Sequence, residues 1–416
     1  HPRRVAVVAY GLGTLAFTYS VQFMSHQLAT SLMFSSFVLV YLVGRQSKPW
    51  WLLIGAGFLG AAALATDYQL IFAAVPLAVY ALWVVRPAHR LVWADTDGDG
   101  KKELFAPIAL LLHYHHDCFG SIFWTGYRFL VAGHDQALHE QGVLGITTPK
   151  WDAFRGSFLS ADNGLFYFSP WVVVALLGLP LMWRLRRGAS APTTGRRTGP
   201  SAEFLFTVAL LVAYSYFILS VAFWRGGWQT GPRYICAMLP ALVLPYALLL
   251  RRVEGRPFRW ALAVGPALVG VVIYALIVTT FPHFPEKLKY PLFDLVGPLL
   301  ADGYVSYNLG QSRLGLSGRA SLVPYFAALA LVLLYLAAGP ACCSRFVRRS
   351  GRRLLAGVLA VALAVALLGL YRQAAEVGIR REWSRPLPRS RETYGRFLTR
   401  ARRDIRNLWE PKPPAS

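Results

Sequence analysis

Between residues 224 and 234 the chain reads WRGGWQTGPRY, which sets two arginines, two tryptophans and three glycines within eleven residues. Glycine lets a backbone approach a ligand closely, and an arginine fork holds a phosphate through two parallel hydrogen bonds. Tryptophan faces can stack on sugar rings or isoprenoid chains. Arg225 and Arg233 are therefore the candidate phosphate clamp, with Trp228 and Tyr234 lining the same site. The competing account is an interfacial turn whose arginines snorkel to lipid headgroups. The ligand account is preferred because cations at this place run against the charge bias of the loops described below.

A second stretch, HYHHDCFGSIFWTGY from His113 to Tyr127, brings three histidines and Asp117 to the edge of an apolar block. Imidazoles can bind a metal or relay protons. His115 and His116 are neighbours, however, and face different sides of a helix, whereas zinc-binding pairs favour i, i+4 spacing. An interfacial belt of histidine and aromatic residues is the preferred reading, with Tyr127 kept as a cavity-lining candidate. Two polar islands at the ends of apolar blocks, Ser25-His26-Gln27 and Thr66-Asp67-Tyr68, are functional candidates because ionisable groups at membrane depth are costly. Asp67 is the stronger of the two and the candidate catalytic group within the chain, since so short a loop has little other use for a carboxylate. His26 joins it as a substrate contact.

Other motifs carry less. Asp95-Thr96-Asp97-Gly98-Asp99-Gly100 with Glu103 resembles a short calcium loop, but the residue that an EF-hand requires to be glutamate is Ala106. A solvated acidic turn is the reading adopted. The four cysteines, Cys118, Cys236, Cys342 and Cys343, lack metal-binding spacing, and the adjacent pair reads as small apolar residues at a helix end rather than as an acylation site. No ligand set for a cofactor or divalent metal is legible.

These residues must be positioned by membrane helices. Hydrophobic residues make up 55% of the 416 positions and charged residues 15%, where a soluble chain carries about 25% charged. The apolar residues fall in blocks long enough to cross a bilayer. The resulting fold class is an all-α polytopic membrane protein of about eleven spans: 5–22, 27–44, 49–66, 69–85, 104–116, 164–183, 203–224, 233–250, 259–281, 321–338 and 353–371. The transmembrane domain is thus residues 1–371, with larger outer loops at about 114–163 and 282–320 and a basic outer tail at 372–416 that could lie on lipid headgroups. Net charge is +23. Its distribution in short loops and the tail follows membrane topology, so nucleic acid is excluded as the partner in favour of membrane lipids.

Lysine and arginine crowd alternate loops, including Arg45/Lys48, Arg86 to Lys102, Arg184 to Arg197, Arg251 to Arg259 and Arg345 to Arg353, which are placed in the cytoplasm. From residue 164 onward this orientation is consistent. Before it, Arg45/Lys48 and the 86–102 loop are expected to fit only if one early span is re-entrant or is not a span.

GLGTLAFTYSVQFMSHQLATSLMF (11–34), ATDYQ (65–69), FGSIFWTGYR (119–128), NGLFYFSPW (163–171) and GGWQTGPRYICAMLPAL (226–242) together resemble bacterial membrane enzymes of the GT-C glycosyltransferase superfamily, near the family 39 mannosyltransferase-like and ArnT-like groups. The resemblance covers most of residues 1–250. It implies a multi-pass enzyme of the bacterial inner membrane that moves a sugar from a polyprenyl-phosphate donor to an acceptor on the outer face, assisted in some relatives by a divalent metal. It also implies a principal carboxylate in the first outer loop. This chain begins at His1 beyond that point, so it reads as lacking the N-terminal spans and that acid. The alternatives are a transporter or flippase for a lipid-linked saccharide, or a lipid-linked-oligosaccharide ligase. Mid-span polar residues and inverted repeats, which a transporter would display, are not seen.

Overall fold

In the computed structural model the chain folds into a bundle of helices. The structure describes residues 2–46, 48–85, 99–124, 129, 137, 139, 141–142, 145–188, 202–286, 288–338 and 347–384. Tyr127, Asp95, Asp97, Cys342, Cys343 and the tail beyond residue 384 lie outside them. Among the described residues there is no strand, only an isolated antiparallel bridge between Ile146 and Val221. Among the described residues five helices are long and apolar enough to cross a membrane: Ser25–Gln46, Ala202–Ser220, Arg233–Val253, Pro257–Thr279 and Leu354–Gly378. Shorter apolar helices occupy Leu52–Thr66, Tyr68–Val84, Trp171–Trp183, Leu292–Ala301 and Gly318–Leu333. Helices suit such a chain because each N–H and C=O is satisfied within its own segment, and a bilayer offers no other partner.

Pro257–Thr279 is the axial helix, with 61% of its apolar stretch buried against 17% for Leu354–Gly378 at the periphery. Small residues let the N-terminal segment approach it. A Cβ on Gly270 would stand 2.8 Å from the Gly13 carbonyl oxygen, so the two backbones touch, as at small-residue helix contacts in membranes. The first apolar block is broken there into Pro2–Leu12 and Leu15–Ser20. The break is repaired locally: Thr14 Oγ1 accepts from Ala16 N at 3.1 Å and donates to Tyr10 O at 2.6 Å, while Trp171 Nε1 donates to Gly13 O at 3.1 Å. The block at 164–183 is likewise broken into Leu165–Phe168, Trp171–Leu176 and Leu179–Gly188. Beyond Arg372 the chain stays helical as far as Ser384, so the expected tail begins as a continuation of the last helix.

Two polar clusters mark the two ends of the bundle. At one end Arg45, on the last turn of Ser25–Gln46, grips Glu203 on the first turn of Ala202–Ser220, with Nε–Oε1 at 2.7 Å and Nη2–Oε2 at 3.2 Å; Tyr80 OH adds a bond at 3.1 Å. At the other end lie His26, Asp67 and the 221–232 segment. Arg45 therefore shares its end with the start of Ala202–Ser220. Among the described residues, alternation of the helices from residue 2 onward brings Arg45 to that end without a re-entrant segment.

Candidate functional site

The Ser25–Gln46 and Leu52–Thr66 helices form an antiparallel hairpin, which returns residue 67 to the level of residue 26. Ser36 Oγ bonds across it to Ala56 O at 2.6 Å. Asp67 is the corner where the second helix stops. Its N–H closes on Ala63 O at 3.0 Å, its backbone is extended (φ −155°, ψ 112°), and its Oδ1 caps the next turn by accepting from Gln69 N at 3.4 Å. That leaves Oδ2 facing His26 Nδ1 at 2.6 Å and Gln69 Nε2 at 2.7 Å. The carboxylate also lies beside the first turn of Ser25–Gln46, where the helix dipole favours negative charge. Both partners are nearly enclosed, their side chains 11% and 13% exposed.

With Nδ1–H donating to Asp67, the His26 ring directs Nε2 away from the pair. The ring is held by edge contacts to Tyr19 and Tyr234, each at 5.9 Å between centroids. Tyr19 is anchored in turn by its hydroxyl to Thr230 O at 3.0 Å. A carboxylate that fixes a histidine tautomer in this way prepares the far nitrogen as a base.

The arginine loop reaches this pair from the other side. Gly226, Gly227 and Gly231 have φ of +70°, +80° and +63°, conformations that side-chain-bearing residues rarely adopt, so the glycines set the path of the loop. Arg233 opens an unusually long 3-10 stretch, Arg233–Leu242, at the head of the third long apolar helix. Its guanidinium lies over the Tyr234 ring at 5.3 Å and its Nη1 is 3.9 Å from Met24 Sδ, in the turn just before His26. His283, from the 280–291 segment, also faces it. Burial, joined by the positive charge of Arg233, holds His283 below the ordinary histidine pKa.

Arg225 is placed differently from expectation. It is bonded to Asp162, with both side chains largely covered, and so serves first as half of an ion pair. Around it Gln229 donates to Asn163 Oδ1 at 3.2 Å and to the Arg225 carbonyl, and Gln229 N donates to Phe284 O at 3.2 Å. A Cβ on Gly226 would stand 3.0 Å from Tyr234 OH and 3.1 Å from Gln229 Oε1, so the Arg225 and His26 clusters are contiguous. Several buried amide atoms here have no hydrogen-bond partner among the described residues: Gln69 Oε1, Gln27 Oε1, Gln229 Oε1 and Asn163 Nδ2. Trp228, by contrast, is half exposed.

Of the sequence candidates, the structure brings His26, Asp67, Arg233 and Tyr234 together, adds Arg225 one layer out and leaves Trp228 at the surface. Gln69, Tyr19, Asp162 and Asn163 were not anticipated. Asn163 opens the NGLFYFSPW stretch and Gln69 closes ATDYQ, and a buried amide beside a carboxylate is the signal that would have marked them. The histidine belt divides as the helix period requires. His115 turns inward and is buried, its Nε2 2.7 Å from Tyr68 OH and its Nδ1 3.3 Å from Ile122 O, while His113 and His116 stay exposed beside Asp117. Among the described residues no three His, Cys, Asp or Glu side chains converge as a metal ligand set.

The fold and site together define an all-α chain of membrane-crossing character with an acid–histidine pair and an arginine at one end of its helices. No family model, no curated protein and no solved structure matches it.

Proposed function

We propose that this chain is a multi-pass glycosyltransferase of the GT-C type in a bacterial inner membrane, or a large part of one, moving a sugar from a polyprenyl-phosphate donor to an acceptor at the outer face. The observation that carries this reading is the hydrogen-bonded Asp67–His26 pair lying one aromatic ring away from Arg233, among buried amides with unused hydrogen-bonding capacity. Such amides are chemically matched to sugar hydroxyls. His26 Nε2 takes the proton of the acceptor hydroxyl as its oxygen bonds to the anomeric carbon. The bond from that carbon to the phosphate oxygen breaks, and Arg233 neutralises the departing lipid phosphate. Asp67 holds the imidazole tautomer and offsets its positive charge. Arg225 acts through Asp162 by fixing the loop that carries Arg233. In this reading the face is the outer one, supported by the positive-inside bias of the short loops and by Arg45 at the opposite helix end.

The test is transfer from a polyprenyl-phosphate sugar to a hydroxyl acceptor by the protein in liposomes. Arg233→Ala is expected to weaken use of the donor by about tenfold or more, since a charge-assisted bond to a phosphate is worth about 1.5–3 kcal/mol. Arg233→Lys restores it only in part, because an ammonium lacks the planar fork. Asp67→Asn and His26→Ala abolish turnover while leaving donor binding. Movement of an intact lipid-linked sugar across the bilayer without hydrolysis or transfer would replace this reading with a flippase.

A further inference from the structure

At the end of the bundle opposite the His26–Asp67 pair, the helices Pro2–Leu12, Ser25–Gln46, Ala202–Ser220 and Val243–Val253 leave a cleft of about 660 Å³. That volume is within the range of a small-molecule site. Its wall is aromatic. Phe37 lies flat on Phe206, 4.6 Å between centroids and 7° between planes, and Phe34 stacks on Phe37 at 5.8 Å. Its rim is charged, with Arg3, Arg251, Glu203 and Glu254. Glu203 is already neutralised by the two-pronged bond from Arg45, so the rim presents two guanidinium groups against the carboxylate of Glu254.

The cleft opens sideways. Val7, Phe34 and Leu244 on its edge are 58%, 41% and 47% exposed. On helices as apolar as these, that outlook is toward acyl chains rather than water. The charged rim falls at the helix ends, the level of the lipid headgroups. Apolar depth capped by arginines at that level matches one amphiphile, a chain with a phosphate at its head.

We propose that this cleft binds a membrane phospholipid, with an acyl chain against Phe34, Phe37 and Phe206 and the phosphate on Arg3 and Arg251. Two arginine forks satisfy a phosphate better than water-exposed single charges do. The site is separate from the candidate catalytic end and does not depend on what is transferred there. Its occupant lies beside the Arg45–Glu203 bond and steadies four helices at once.

The experiment is native mass spectrometry of the detergent-purified chain, mixed with either dioleoyl phosphatidylglycerol or a phosphate-free galactosyl diacylglycerol of the same acyl chains. The expected result is one retained phospholipid per chain, favoured over the glycolipid by about tenfold or more. The double variant Arg3→Gln/Arg251→Gln loses that adduct, whereas Arg252→Gln, an exposed neighbour outside the cleft, keeps it. Val7→Trp, which keeps both arginines and fills the groove, lowers retention of both lipids. Equal retention of the two lipids, or an adduct undiminished in the double variant, overturns the proposal. If thermal melting shows the double variant to be unfolded, Val7→Trp decides alone: unchanged retention overturns the assignment.

Discussion

Replacing Asp67 by asparagine probes the centre of the site with the smallest change in shape. The wild-type carboxylate accepts from His26 Nδ1 at 2.6 Å, Gln69 Nε2 at 2.7 Å and Gln69 N at 3.4 Å. Asparagine can place its oxygen where Oδ2 was and keep the first two bonds in neutral form. Its amide nitrogen then faces the Gln69 N–H, donor against donor. The loss is the charge assistance on two short bonds and the whole of a long one, in an environment only 13% exposed, which amounts to about 1.5–3 kcal/mol of stability. His26→Ala costs about as much or more, because it strands a nearly buried carboxylate. If the pair is one unit, the two losses overlap. The double variant His26→Ala/Asp67→Asn should then be destabilised by less than the sum of the singles, with a coupling of about 1–3 kcal/mol. The assay is a double-mutant cycle on denaturation midpoints in a fixed detergent, read by loss of helical signal. Additivity within about 0.5 kcal/mol would show that the 2.6 Å contact carries no energy, and the argument for a prepared histidine base would fall with it.

Three further outcomes follow from the same geometry. Gly231→Ala should destabilise the loop by about 1–2 kcal/mol, since φ is +63° there and a Cβ would stand 2.6 Å from Leu15 Cδ2; melting in detergent checks it against Gly255→Ala, which has φ of +83° but open space around it. His283 has a folded-state pKa below its unfolded value of about 6.5. Stability is therefore level above that pH and falls as pH drops through the folded pKa, and His283→Gln should remove this acid-side loss in melting curves taken from pH 7.5 down to about 5. Accessibility labelling of single cysteines in oriented vesicles should place positions 47, 192 and 255 on one side and positions 23, 140 and 300 on the other; agreement between 47 and 23 would refute the alternation inferred from the Arg45–Glu203 bond.

The helical content was legible because hydropathy in a membrane protein is a one-dimensional signal: the apolar blocks fall on helices, whole or in pieces. What escaped were the breaks. The interruption at Gly13-Thr14 depends on a glycine in the axial helix more than 250 positions away, and no local pattern encodes that meeting. The site was half legible. His26, Asp67, Arg233 and Tyr234 each stood out as a polar or charged residue at the edge of an apolar block. That His26 and Asp67 form a pair was hidden, since it follows from how a hairpin returns after 41 residues. Arg225 shows the opposite limit: its charge was visible, but its partner Asp162 lies 63 residues upstream in a loop with no helical register to place it. That Arg45 and Glu203 share one end of the bundle was likewise hidden, since 158 residues separate them.

The pairing of residues distant in sequence also has a consequence for biogenesis. Tyr19 meets Thr230 across 211 residues, and the ring of Tyr234 that braces His26 comes from the same late segment. While the chain emerges from the ribosome, the first hairpin is made and inserted with its histidine–carboxylate corner bare on one side. It must wait there until the segment beyond residue 220 has been made and has packed against it. During that interval the corner is a polar patch on a nascent apolar hairpin, the kind of surface that membrane quality-control proteases and insertion chaperones recognise. Variants at Tyr19 or Thr230 would thus be expected to reveal themselves first as lowered abundance in the cell, before any defect in the assembled protein is measured.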